Sequence, residues 1–166
     1  VENITAAMAA ADAGNADAYK ANAASYIVKL QALHASAADR FGSLPEDGRT
    51  VVTAHDAFGY LADSYGLNFL APVGIDTEAE PSASELAALI AHLKETGAGA
   101  LFVENITSPA LIEQISKETG LKIGGRLFSD ALSERGGPAT SYVAMFEHNL
   151  GAVSYTHLTL PTTGIV

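Results

Sequence analysis

The sequence predicts an α/β domain: a four-stranded, mainly parallel sheet flanked by helices and preceded by one long helix. Short apolar runs alternate four times with helix-spaced segments, the pattern of a sheet built from crossover units. Most junctions carry a Ser, Pro or Gly signal that starts or stops a helix. The N-terminal part instead holds a single apolar stripe at helical spacing.

Ile4 and Met8 lie four apart on a first helix that Gly14-Asn15 stops. Asp17 is placed to cap a second helix with Tyr19, Ala23, Tyr26, Ile27, Leu30, Leu33, Ala37 and Phe41 on one face. That helix would be about 34 Å long, the width of a small domain. After a loop over Gly42–Gly48, Thr50 to Ala54 reads as a short buried strand. Phe58, Leu61, Ala62 and Tyr65 have helical spacing, closed by Gly66. Asn68 to Val73 is a second strand. Ser82 and Glu85 form a capping box that opens a helix to Thr96, with Gly97 behind it. Ala100 to Val103 is the third strand, and Ser108-Pro109 opens a helix that Gly120 ends. Ile123 to Phe128, interrupted by Gly124-Gly125, is the fourth strand, and a last helix runs from Thr140 to about Leu150.

The chain's 166 residues suffice for one domain with a proper core. A net charge of −10 with no basic cluster argues against a nucleic-acid surface. The absence of cysteine excludes disulfides, thiolate chemistry and Cys-type zinc sites. No run approaches the roughly 20 apolar residues of a membrane span. Val1-Glu2-Asn3 does not open a signal peptide, and a start inside a helix without Met reads as a fragment. The tail Val153 to Val166, "VSYTHLTLPTTGIV", departs from the Ala-rich, acidic style before it. It resembles a transposase sequencing adapter translated in one frame, so it and His157 are read as non-native.

In an open parallel sheet, ligands bind beyond the carboxyl ends of the strands. His55-Asp56 follows the first strand, Asp76, Glu78 and Glu80 the second, Glu104-Asn105 the third and Ser129-Asp130 the fourth. His55, Glu104 and Asp130 together form the donor set of a divalent-metal site. Each also has a plainer role: Asp130 as a turn residue, His55 as a cap, Glu104 as an ion-pair partner. The Asp76–Glu80 run reads as a solvated loop, and His34 and His92 as surface residues. His148 is placed near a helix end, where the dipole favours its cation. Gly-x-Ser-x-Gly and Gly-x-Gly-x-x-Gly are both absent, which removes the usual hydrolase elbow and dinucleotide loop.

Four segments in order, "VVTAHDAFGYLADSYGL", "PVGIDTEAEPSASELAALI", "ALFVENITSPALIEQISKETG" and "GGRLFSDALSERGGPATSYVAMFEHN", resemble the C-terminal half of the zinc/manganese ABC-transporter substrate-binding proteins. The opening "NADAYKANAASYIVKLQAL" is similar to that family's long backbone helix between two α/β lobes. The resemblance implies residues 1–42 as the interlobe helix region, 43–152 as the metal-binding lobe and 153–166 as the foreign tail. It implies His55 and Asp130 as two of four metal ligands, the others being histidines of the N-terminal half. Glu104 matches no ligand of the family and is expected to orient an imidazole. His at the third ligand position is commoner in zinc carriers and Glu in manganese and iron carriers, so Zn²⁺ is expected ahead of Mn²⁺. The implied protein is a monomeric periplasmic or extracytoplasmic receptor that hands a metal ion to a membrane permease, and not an enzyme. Two alternatives stand beside it: a metal-assisted hydrolase or lyase using His55, Glu104 and Asp130, and a metal-independent adhesin.

Overall fold

The computed structural model describes residues 1–75, 81–96 and 99–159, without the side chains of Asp47 and 157–159. The acidic run Asp76, Glu78 and Glu80, the stop at Gly97 and the side chain of His157 lie outside the described residues. The chain divides into two compact units, Val1–Ser36 and Ala37–Val166.

The first unit holds α1 (Glu2–Ala11), a 3₁₀ turn at Ala13–Asn15 and most of α2 (Ala16–Gly42). Asp17 lies inside the first turn of α2 rather than capping it, because the helix already begins at Ala16. It faces Lys20 at 3.8 Å and favours the positive end of the helix dipole. The turn is held by Asp12, whose carboxylate accepts from the Asn15 side-chain amide and the Tyr19 hydroxyl, each at 2.8 Å. These bonds, Asn15's first, hold the Asp12 carboxyl below its usual range, and the bond to Asp12 raises the Tyr19 hydroxyl. Along the expected stripe, Tyr19, Ala23, Tyr26, Ile27 and Leu30 are half-buried and Leu33 is buried.

The second unit is a four-stranded sheet in the order β2-β1-β3-β4, parallel throughout. In chain order it contains β1 (Thr50–Val52), α3 (Gly59–Tyr65), β2 (Asn68–Leu70), α4 (Ala83–Thr96) and β3 (Ala100–Glu104). It continues through α5 (Ala110–Thr119), β4 (Ile123–Leu127) and α6 (Tyr142–Thr159). Alternation along the strands divides the core. Val51, Ala100 and Phe102 pack with Phe41, Phe58, Leu127, Leu150 and Val153 on one face. Val52 and Leu101 pack with Ile90 and Leu93 of α4 and Ile112 and Ile115 of α5 on the other. Both faces are covered, as a parallel sheet requires.

Three expectations need correction. Strands β1 and β2 end at Val52 and Leu70, short of Ala54 and Val73; the two segments meet again only at an isolated bridge between His55 and Val73, and the Glu104 carboxylate takes the Ala54 and His55 amides. Gly124-Gly125 does not break β4 but bulges it: Leu101 pairs with Ile123, whereas Phe102 pairs with Gly125. A Cβ on Gly124 would stand 2.4 Å from Thr156 of α6, so the helix packs directly on this bare backbone. Finally, α6 runs past Leu150 to Thr159. Val153 is buried in the core, and the Thr156 hydroxyl donates to the carbonyls of Ala152 at 2.8 Å and Gly124 at 3.3 Å. His148 therefore sits within the helix rather than near its end. Its Nε2 lies 3.0 Å from the Arg126 carbonyl, and its ring meets Phe128 edge-on. No helix among the described residues is long and apolar enough to cross a membrane.

The capping box of α4 is present as expected. The Glu85 amide donates to the Ser82 hydroxyl at 3.2 Å, while the Glu85 carboxylate accepts from the Ser82 amide at 3.0 Å and hydroxyl at 2.6 Å. Those two bonds hold the Glu85 carboxyl below its usual range. The box therefore stabilises the helix above the ordinary Glu range and is lost as pH falls through the lowered value. Ser82→Ala removes the hydroxyl bond but keeps the amide bond, so the Glu85 midpoint should rise toward the ordinary range, read by side-chain carbonyl NMR against pH, while distant carboxylates keep their midpoints.

Candidate metal centre

His55, Glu104 and Asp130 come together at the carboxyl edge of the sheet, as the order of the strands allows. β1 and β3 are neighbours, and β4 lies beside β3, so the residues following them share one rim. Glu104 is the last residue of β3 and its side chain is fully buried. One of its oxygens, Oε1, accepts from the backbone amides of Ala54 at 2.9 Å and His55 at 3.1 Å. These amides lie just past the end of β1, where no strand carbonyl faces them. The Thr53 hydroxyl donates to the His55 carbonyl at 3.0 Å, and the Asp56 amide donates to the Val73 carbonyl at 3.1 Å. The His55 backbone is thus pinned from both sides.

The His55 side chain is 3% exposed and lies between two carboxylates. Nδ1 stands 2.7 Å from Glu104 Oε2, and Nε2 stands 3.3 Å from Asp130 Oδ2. The Glu104 contact is at ion-pair distance, but neither atom has an aligned hydrogen-bond partner. The Asp130 side chain is 65% exposed, so the pair opens to solvent on that side only through the carboxylate's flank of the ring.

Two asparagines hold the turn that carries Asp130. The Asn105 side chain accepts from the Ser129 amide at 3.2 Å and donates to the Ala131 carbonyl at 3.0 Å, bracketing Asp130. Buried Asn149 on α6 does the same one step earlier, accepting from the Phe128 amide at 2.9 Å and donating to its carbonyl at 2.7 Å. In the sequence Asn105 stands out only as the neighbour of Glu104. The only sequence signal for Asn149 is a polar residue on the apolar side of a helix, one position before Leu150.

Chemically, the arrangement divides the imidazole's two nitrogens between two tasks. A proton on Nδ1, the nitrogen against Glu104, leaves the Nε2 lone pair beside the Asp130 carboxylate, whereas a proton on Nε2 is donated to that carboxylate. Bond lengths of about 2.0–2.2 Å put the nitrogen and oxygen of a tetrahedral zinc site about 3.4 Å apart. The observed 3.3 Å fits that edge without large rearrangement. Glu104 lies against the other ring nitrogen and is not placed to share the same ion. Among the described residues, no group of three or more His, Asp or Glu side chains is arranged to hold one metal.

A mixed imidazole and carboxylate rim on a parallel α/β lobe is the place where such domains take ligands. The chain belongs to the Zinc-uptake complex component A periplasmic family, whose model matches residues 1–154. It is similar to the Iron ABC transporter substrate-binding lipoprotein MtsA of Streptococcus pyogenes serotype M1, 32% identical over 153 residues, covering 92% of this chain and 49% of that protein. It is also similar to the Manganese-binding lipoprotein MntA of Bacillus subtilis (strain 168), 34% identical over 159 residues, covering 93% of this chain and 52% of that one. Among solved structures, the periplasmic zinc binding protein TroA from Treponema pallidum superposes with a TM-score of 0.88 at 28% identity, over 93% of this chain and 58% of that one. The chain spans about half the length of the curated relatives it matches. The expected family and fold are both borne out.

Proposed function

We propose that this chain is the C-terminal metal-binding lobe, with its backbone helix, of an extracytoplasmic receptor that delivers a divalent cation to an ABC permease. The observation that carries this is the His55–Asp130 pair, 3.3 Å apart at the rim, with Glu104 against the opposite nitrogen. His55 Nε2 and an Asp130 oxygen are two ligands of the cargo ion, and the remaining donors come from outside this chain. Glu104 holds the imidazole in the tautomer that leaves Nε2 free and is itself a positioning residue. Asn105 and Asn149 keep the Asp130 turn in register with it. No bond is made or broken in the cargo, so the reading is a carrier and not an enzyme.

Among the relatives, names point to iron, manganese and zinc, so the donors decide the preference. A neutral imidazole at the third position favours Zn²⁺ over Mn²⁺, whose usual partners are harder oxygen donors. Residues 153–166 are proposed to be foreign to the receptor. The family match ends at residue 154, close to where the adapter-like run begins, and packing of Val153 on the sheet is compatible with any apolar residue there.

Titration calorimetry with Zn²⁺ and Mn²⁺ tests the reading, on this chain and on the longer protein that carries it. His55→Ala and Asp130→Ala should each weaken Zn²⁺ binding by more than the roughly 10–100-fold typical of losing an outer-shell partner. Unchanged binding in both variants would overturn the site.

A further inference from the structure

We infer that the β-bulge at Gly124-Gly125 aims Asp130 at the ion, and that Gly125 is a positioning residue for that ligand. The inference rests on the assignment of His55 and Asp130 as ligands. Strand β3 pairs with β4 at Leu101 and Ile123, and again from Phe102 and Gly125 onward, which leaves Gly124 as an extra residue. Side chains alternate along a strand, so one extra residue turns every later side chain to the opposite face. Leu127 shows the result. It pairs with Glu104 and packs in the cluster of Phe102. Without the extra residue it would share the face of Leu101, which α4 and α5 cover.

The same step carries through to the rim. Beyond the bulge, the Asn105 amide donates to the Leu127 carbonyl at 3.2 Å. The Asn105 side chain then takes the Ser129 amide at 3.2 Å and the Ala131 carbonyl at 3.0 Å. Each bond joins the residue after Glu104 to the end of β4 or the turn beyond it, so each depends on the shifted register. Asp130 lies between the last two, with Oδ2 3.3 Å from His55 Nε2. A β4 paired without the bulge would put Ser129 in the place from which Asp130 now meets the imidazole. Gly125 makes the bulge possible. Its φ of +151° is a conformation in which a residue with a side chain is strained. No atom stands within 4 Å of a Cβ built there, so the backbone conformation and not the space calls for glycine.

Zinc titrations of the longer protein that carries this chain test this through a double-mutant cycle between Gly125→Ala and Asp130→Asn. Each change alone should weaken zinc binding at least about tenfold. Adding Asp130→Asn to Gly125→Ala should cost less than about threefold more, because the carboxylate is already misplaced. Gly120→Ala is the control. Its φ is +79°, a Cβ there is equally unobstructed, and it ends α5 at the amino end of β4, away from the rim. It should lower Tm and leave zinc affinity within about threefold. An equal cost of Asp130→Asn in both backgrounds would overturn the role of the bulge and leave the ligand assignment intact. Full zinc affinity in Gly125→Ala, or an equal loss in Gly120→Ala, would do the same. Asp130→Asn without effect in the unaltered protein would overturn both. Gly125→Asn, which introduces a residue more tolerant of positive φ, carries the same cycle if the alanine variant does not fold.

Discussion

Glu104→Ala is expected to destabilise the lobe by about 3 kcal/mol or more and to abolish ordered metal capture. The substitution strips the acceptor from the buried amides of Ala54 and His55, and each orphaned donor costs about 1–3 kcal/mol. At about 2–4 °C per kcal/mol for a domain of this size, Tm should fall by roughly 6–12 °C. Glu104→Gln separates the two roles of this residue. Its side-chain oxygen can still accept from both amides, so most of the stability should remain. Its amide nitrogen, however, would donate toward His55 Nδ1 and move the ring proton to Nε2, the nitrogen reserved for the ion. Zinc affinity should then drop by roughly 10–100-fold, the range for losing an orienting partner. Thermal melts and zinc titrations on the two variants check this. A Glu104→Gln protein with full zinc affinity would remove Glu104 from the site and leave it a purely structural carboxylate.

Phe102→Ala should be the most damaging change in the core. Phe102 is fully buried on β3, in one core cluster with Val51 of β1, Leu127 of β4, Phe41 and Leu150. Loss of a buried Phe costs about 3–5 kcal/mol in transfer and cavity terms. That is a large share of the roughly 5–15 kcal/mol by which domains are stable. Since Glu104 is two residues along the same strand, the variant should also lose zinc affinity in proportion to the unfolded fraction. Tyr60→Ala is the control. With its ring 93% exposed, its removal should change stability by no more than about 0.5 kcal/mol. Chemical denaturation of the three proteins compares them directly.

Much of this fold was legible because its signals are local. The α2 stripe, the Ser82 and Glu85 box, and Gly66 and Gly120 in the left-handed conformation at helix ends all depend on residues a few positions apart. Convergence of His55, Glu104 and Asp130 followed from the rule for parallel sheets, since it needs only the place of each residue after its strand. The placement of His55 at a strand-to-helix junction is explained in the same way: the rim is where β1 stops. What stayed hidden depends on contacts across the sequence. Glu104 takes the amides of His55 and Ala54, just past β1, from 49 and 50 residues away. Asn149 braces the Phe128 backbone from 21 residues away, and no periodicity records that. The length of α6 is not legible because the composition changes at Val153 while the helix continues. Val153 nevertheless meets the core as the helix's apolar face continues.

The most direct test of the central claim is long-range ¹H–¹⁵N NMR of the histidine rings during zinc addition. His55 alone among His34, His55, His92 and His148 should respond, with Nε2 moving to the metal-bound position and the proton held on Nδ1, on the Glu104 side. A silent His55, or a metal-bound Nδ1, would contradict it.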